Sequence, residues 1–327
     1  MHLYITSYPK VLLTLATILL VCSISLSHAQ EEEPKPTPSG SPTPATAPEA
    51  PIKVERSVPN TVDKQRQLLR DQYPQEDLRT LNANGKPFIG LWRKDMSGDA
   101  YGAVLIVPGD GQTANWPNTI DVLRKDLPEN GWGTLSIEIN TSKQDAAPAR
   151  NSDNNTPAKE SENPALEAGN QAKLKAAIDF LHSEGQYNIV IAAYGGSAAR
   201  TIEFIGNMEN GKAKPRGSNR KKGKFKHPIR ALVFINARSS HPENMNASFS
   251  NIIWPEIPVL DIFSGGHYLD GLESGKRAKA AKANRLNTYI QLKLLTPTTT
   301  LFKGENRLSR RVRGFLNRYA KGVEVER

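Results

Sequence analysis

The sequence predicts an α/β fold: a mostly parallel sheet with helices on both faces and an antiparallel N-terminal hairpin. Three observations point there. Short continuous apolar runs such as Ala103–Val107 and Ala231–Ile235 read as strands buried on both faces. Stretches of helical period lie between them, as at Leu174, Ala177, Ile178 and Leu181. Strands alternating with helices imply βαβ units, and therefore parallel neighbours.

The chain opens with Lys10, an apolar segment Val11–Val21, and Ser27-His28-Ala29 ahead of Gln30. This is the pattern of a secretory signal peptide over residues 1–29, and the apolar segment is too short to span a bilayer as a stable helix. Val21 ahead of Cys22 does not suit lipidation. Cleavage leaves 327 − 29 = 298 residues and removes Cys22, the only cysteine, so no disulfide and no cysteine nucleophile or metal site is expected. The expected location is periplasmic or extracellular, with no transmembrane helix after cleavage. The formal charge of +10 falls to 10 − 1 = 9 without Lys10. Such a balance favours anionic partners. For an exported chain these are anionic lipid or glycan rather than nucleic acid.

Residues 30–60 carry Glu31-Glu32-Glu33 and then prolines from Pro34 to Pro51 among Ser, Thr and Ala. This composition buries no core and predicts a disordered linker. A domain over 61–327 follows. A polar helix is expected near Lys64–Asp71, then two antiparallel strands, Asp77–Asn82 and Pro87–Lys94. Asn84-Gly85 between them is a strong hairpin signal. The Ala103–Val107 strand ends in Pro108-Gly109-Asp110-Gly111-Gln112, and Trp116-Pro117 opens a helix running to Leu127. Trp132–Ile139 gives a strand, 140–163 a long polar excursion, and Ala165–Ser183 an amphipathic helix. Farther on come a basic insertion near 210–228, strands at Ala231–Ile235 and Ile257–Phe263, and a helix over Glu273–Thr288. Tyr289–Leu295 is the last expected strand, and Glu305–Lys321 the last helix.

The chain is organised around Asn188–Ala199, an apolar strand broken by Gly195-Gly196 and continued by small residues. This is the layout of a nucleophile elbow, G-x-S-x-G on a sharp strand-to-helix turn, and the element order is the α/β-hydrolase plan. Aligned with that pattern, Ala193 takes the first small position, Gly195 the nucleophile position and Ser197 the last small position. Glycine tolerates the positive φ of an apex but has no side chain with which to attack.

Four segments carry a resemblance to a known family. They are Val107–Gln112 with Trp116-Pro117, Leu127–Ser136, the glycine-rich elbow, and Arg307–Leu316. Together they resemble a bacterial domain-of-unknown-function family of exported α/β-hydrolase-like proteins. The resemblance implies a fold and an export route, and it brings no settled activity. In that family the loop after the first long strand often begins with His, where this chain has Pro108, and the apex tends to be glycine, as at Gly195.

A triad in this fold needs a nucleophile, an acid and a late histidine, in that order. Histidines stand at 2, 28, 182, 227, 241 and 267, none after the last strand. Two catalytic candidates remain: Ser197 as an unorthodox nucleophile and His267, just past the Ile257–Phe263 strand, as a displaced base. Ser197 also reads as a helix N-terminal hydroxyl bonded to nearby backbone, and His267 as a surface loop residue.

Gly109, Asp110, Gly111 and Gln112, with Tyr194, Gly195 and Gly196, form a candidate ligand-binding rim. Backbone amides at such turns hold anionic or carbonyl oxygens. The first reading is therefore a protein without a complete triad that binds an unknown small molecule or an envelope protein between the Asp110 loop and the elbow. The alternative is a divergent serine esterase or acyl hydrolase using Ser197 and His267. A third is a basic adaptor acting through the 210–228 insertion and Arg307, Arg310, Arg311 and Arg313, although charge runs are commonly just solvated faces. The sequence carries no metal-ligand spacing and no phosphate-binding glycine signature, so no metal and no cofactor is expected.

Overall fold

The computed structural model describes residues 61–74, 77–117, 119–140, 164–210, 229–239, 248–250, 254, 257–266, 268–294 and 306–321. The expected signal peptide and linker, residues 141–163 and 211–228, and His267 lie outside the described residues. The chain falls into two units, Met1–Ser57 and Val58–Arg327, and every described residue belongs to the second.

Among the described residues fourteen elements follow one another, counting strands and α-helices: α1 (Thr61–Gln72), β1 (Leu78–Ala83), β2 (Lys86–Arg93), β3 (Gly102–Val107), α2 (Ile120–Asp126), β4 (Trp132–Ile137), α3 (Pro164–Ser183), β5 (Ile189–Tyr194), α4 (Ser197–Asn210), β6 (Ile229–Ile235), β7 (Val259–Phe263), α5 (Tyr268–Ala283), β8 (Tyr289–Lys293) and α6 (Arg307–Tyr319). The eight strands form one sheet in the order β1-β2-β4-β3-β5-β6-β7-β8. β2 pairs antiparallel with both β1 and β4, and every other pairing is parallel. A single reversed strand thus accounts for the expected hairpin. Its turn is Asn84 at φ 51 and Gly85 at φ 80, the two positive angles that a type I′ turn demands.

Side chains alternate across the sheet, and each face finds its own helices. Leu105, Val107, Ile191 and Ala193 pack with Leu174 and Ile178 of α3, Ala199 and Ile202 of α4 and Ala281 of α5. Val104, Ile106, Val190 and Ala192 pack on the other face with Ile120 and Leu123 of α2 and Leu308, Val312 and Leu316 of α6. The central strands are buried on both faces, which is why they read as unbroken apolar runs. Each such Val, Ile or Leu contributes about 1.5–3 kcal/mol on burial.

Two helices depart from expectation. α2 begins at Ile120 rather than at Trp116, because the Trp116 amide bonds back to Thr113 O at 3.0 Å in a turn ahead of Pro117. α5 spans Tyr268–Ala283 rather than 273–288. It closes through Arg285 N–H to Lys282 O (3.1 Å) and Leu286 N–H to Ala281 O (3.2 Å), with Arg285 at φ 54. That is a Schellman ending with arginine at the position glycine usually takes.

Candidate functional site

β5 ends at Tyr194 and α4 begins at Ser197, so the chain reverses within Gly195-Gly196 at the C-terminal edge of the parallel strands. Ligands of open α/β sheets sit at that edge. Gly195 holds φ 58 at the apex. A Cβ built there would meet only Gly109 Cα, at 3.7 Å, an ordinary contact. The apex therefore has the bent backbone of a nucleophile position and space for a side chain, without the side chain. The Gly195 amide continues the ladder to Ile235 O (3.1 Å), and its carbonyl accepts from Arg238 N–H at 3.0 Å. The Gly196 N–H, in the position that donates to an oxyanion in working elbows, has no hydrogen-bond partner among the described residues.

The loop after β3 folds back on itself. Gln112 N–H donates to Gly109 O (3.1 Å), and the Gln112 Oε1 accepts from Gly109 N–H (2.9 Å). The carboxamide oxygen thus occupies an amide of the loop that supplies the second oxyanion donor in this fold. A Cβ at Gly109 would lie 2.9 Å from Tyr194 Cδ1, so the loop rests directly on the elbow. The interval between these two backbones is too narrow for a ligand. What faces outward is the rim: Gly111 is exposed, and Asp110, Gln112 and Tyr194 are half-buried.

Ser197 is wholly buried. Its Oγ donates to Pro108 O at 2.6 Å and accepts from Arg200 Nη1 at 2.8 Å. The hydroxyl does bond backbone, but across to the β3 loop and not within its own helix. Arg200, one turn along α4 and fully buried, carries the cluster further. Its Nε donates to Glu167 Oε2 on α3 (2.9 Å), and its Nη2 to Asp110 Oδ1 (3.3 Å). Gln171 donates to the other Glu167 oxygen at 3.0 Å. One guanidinium thus ties together the elbow helix, the β3 loop and α3. His267, the proposed base, has no described position, so its relation to Ser197 is not part of this geometry.

Sequence reasoning missed Arg200, Glu167 and Asn236. The signal for Arg200 was a charge set among Ala198, Ala199 and Ile202, where a solvated helix face has no reason to be small and apolar. Asn236, at φ 45 just past β6, donates from Nδ2 to Tyr194 Oη (3.4 Å) and accepts from Ser264 N–H at Oδ1 (2.8 Å). Ser264 Oγ in turn donates to Asp270 (2.6 Å). The Tyr194 phenol is thereby oriented from beyond β7. Among the described residues no group of three or more His, Cys, Asp or Glu gathers as metal ligands, and no helix is long and apolar enough to cross a membrane.

The model of the family Protein of unknown function (DUF3530) matches residues 10–318 of this chain. The chain belongs to the DUF3530 family. No curated protein matches it by sequence. Among solved structures, the DUF3530 chain is similar to a carboxylesterase candidate from Lactobacillus plantarum, with a TM-score of 0.50 and 12% identity over 75% of this chain and 98% of that one. It is also similar to a dienelactone hydrolase from Anabaena variabilis (TM-score 0.47, 13% identity, 74% and 97% covered) and an esterase from Pyrococcus furiosus (0.48, 12%, 76% and 95%). At 12% identity the likeness to the first of these shows the fold alone, which is that of the α/β-hydrolases.

Proposed function

We propose that this DUF3530 protein is an exported, non-catalytic member of the α/β-hydrolase fold that binds a small molecule or an envelope protein on the rim of Asp110, Gly111, Gln112 and Tyr194, above the buried Gly195-Gly196 turn. One observation carries the reading: the apex of the elbow is a glycine at φ 58, in the place where a hydrolase carries its nucleophile. The nearest hydroxyl, on Ser197, supports it further. That group is buried and already gives its proton to Pro108 O, so attack would require breaking a 2.6 Å hydrogen bond and displacing Arg200. Gln112 holding the Gly109 amide favours a receptor role as well, since a working oxyanion site keeps its donors open. Export rests on the Lys10, Val11–Val21, Ala29 pattern.

The test is activity-based labelling of the exported chain with a fluorophosphonate, alongside hydrolysis of short activated esters. Neither labelling nor turnover above buffer is expected. Labelling that Ser197→Ala abolishes overturns the proposal in favour of a serine hydrolase built on Ser197.

A further inference from the structure

The face of α6 turned away from the sheet has no part in the elbow site. Leu308, Val312, Phe315 and Leu316 are buried against the sheet, while Arg307, Arg310, Arg311, Gly314, Asn317 and Arg318 are exposed. At 100° per residue these six fall on one arc of about 120°, running roughly 16 Å along the helix. Lys321 extends it beyond the helix end. The helix contains no acidic residue, and none of Arg307, Arg310, Arg311, Arg318 and Lys321 forms an ion pair with any described residue. Asp126 at the end of α2 is engaged at the start of the helix, where its carboxylate accepts from Asn306 N–H.

Two further features indicate what this surface meets. Gly314 stands in the middle of the arc with open space around it, although an interior glycine weakens a helix relative to alanine. A glycine there lowers the profile of the stripe between the flanking arginines, so a flat surface can approach the helix backbone. An exposed aromatic residue stands near the C-terminal end: Asn188, which bonds Ala320 O, follows exposed Tyr187. Lys321 Nζ lies 3.6 Å from the centre of the Tyr101 ring. Cations arrayed with a few aromatic side chains suit a headgroup layer over acyl chains, whereas a linear polyanion needs only the charge.

We infer that the outer face of α6 is a peripheral docking surface for a bilayer bearing anionic phospholipid headgroups. Binding is electrostatic, weakens with salt, and leaves the elbow rim unoccupied.

The experiment is co-sedimentation of the full chain with phosphatidylglycerol/phosphatidylcholine vesicles and with phosphatidylcholine vesicles alone, at low and at molar salt. Arg310, Arg311 and Arg318 are changed together to Gln, and in a second variant to Lys. All three are exposed, and circular dichroism checks the fold. The expected result is binding to the anionic vesicles that molar salt abolishes, that the Gln variant weakens roughly a hundredfold, and that the Lys variant retains; the size follows from about fivefold per charge at an anionic surface. The apolar Val11–Val21 segment is common to all three chains, so the difference reports on α6 alone. Binding unchanged in the Gln variant overturns the inference. So does arginine-dependent binding to a soluble sulfated glycan with none to the anionic vesicles, which assigns the face to a polyanion.

Discussion

Arg200 on α4 and Arg277 on α5 both reach from a helix into the interior, both are fully buried, and both meet carboxylates there. Arg277 meets Asp261, itself fully buried on β7, through Nε at 2.9 Å, and it also donates to Ala237 O beyond β6. The same Asp261 oxygen accepts from Tyr289 Oη (2.6 Å) and Gln291 Nε2 (2.9 Å) on β8. The charged pair is closed to solvent, with side-chain exposure of 1% at Arg277 and 0% at Asp261. It holds the edge strand β8 through half-buried Tyr289 and exposed Gln291. Arg200 shares its charge with Asp110, whose side chain is 27% exposed on the loop after β3. On one face of the sheet, the same interior chemistry thus serves architecture near the β8 edge and, near the central strands, links the surface to the elbow.

That distinction can be broken by measurement. Asp261→Ala leaves a buried guanidinium without its carboxylate and should cost about 3–5 kcal/mol in urea unfolding, the largest effect expected here. A loss below about 1 kcal/mol would remove the closed cluster from any structural role. Arg200→Met should cost about 3 kcal/mol, softened because Gln171 still donates to Glu167. Asp110→Asn, on the exposed arm of that same cluster, should cost less than about 1 kcal/mol. Equal losses from Arg200→Met and Asp110→Asn would mean that the rim carboxylate is as structural as the interior pair.

Two pH effects sharpen the contrast. Burial, and then the Asp261 charge, raise the Tyr289 phenol above its ordinary 10.0. The stability this group contributes is present below about pH 10 and lost as pH rises beyond it, when the unfolded phenol ionises first. Tyr289→Phe should lower stability at neutral pH by about 1–2 kcal/mol and flatten the alkaline loss. A pH–stability curve unchanged above pH 10 would contradict it. Burial pushes Glu273 upward, but hydrogen bonds from Lys276 and Ser239 outweigh burial and hold the carboxyl below its ordinary 4.5. Its contribution is present above pH 4.5 and lost as pH falls through the folded value. Glu273→Gln should therefore reduce the acid-limb slope of thermal unfolding, with a cost of about 0.5–1 kcal/mol at neutral pH.

Strands and their parallel pairing were legible because burial on both faces leaves an unbroken apolar run, and the hairpin because only Asn-Gly readily takes two positive φ angles. The C-terminus of α3 at Ser183 was legible from its apolar stripe, and Gly185 beyond it takes φ 76. The end of α5 was not, since Arg285 takes the left-handed position without any compositional mark. At the site, the glycine apex was readable, because it is a departure within a local pattern. The Arg200 cluster was not, because its partners lie 33 and 90 positions away along the chain and only the fold brings them together. Nor does spacing announce that Gln112 closes onto Gly109, because an amide side chain three residues on bonds many things.

Gly195 has room for a Cβ, and its φ is one that other residues adopt at a strain of roughly 1–2 kcal/mol. A hydroxyl at the apex is therefore within the stability a folded domain normally carries. A serine there would still meet occupied neighbours, with Gln112 Oε1 on the Gly109 amide and Ser197 bridging Pro108 O and Arg200.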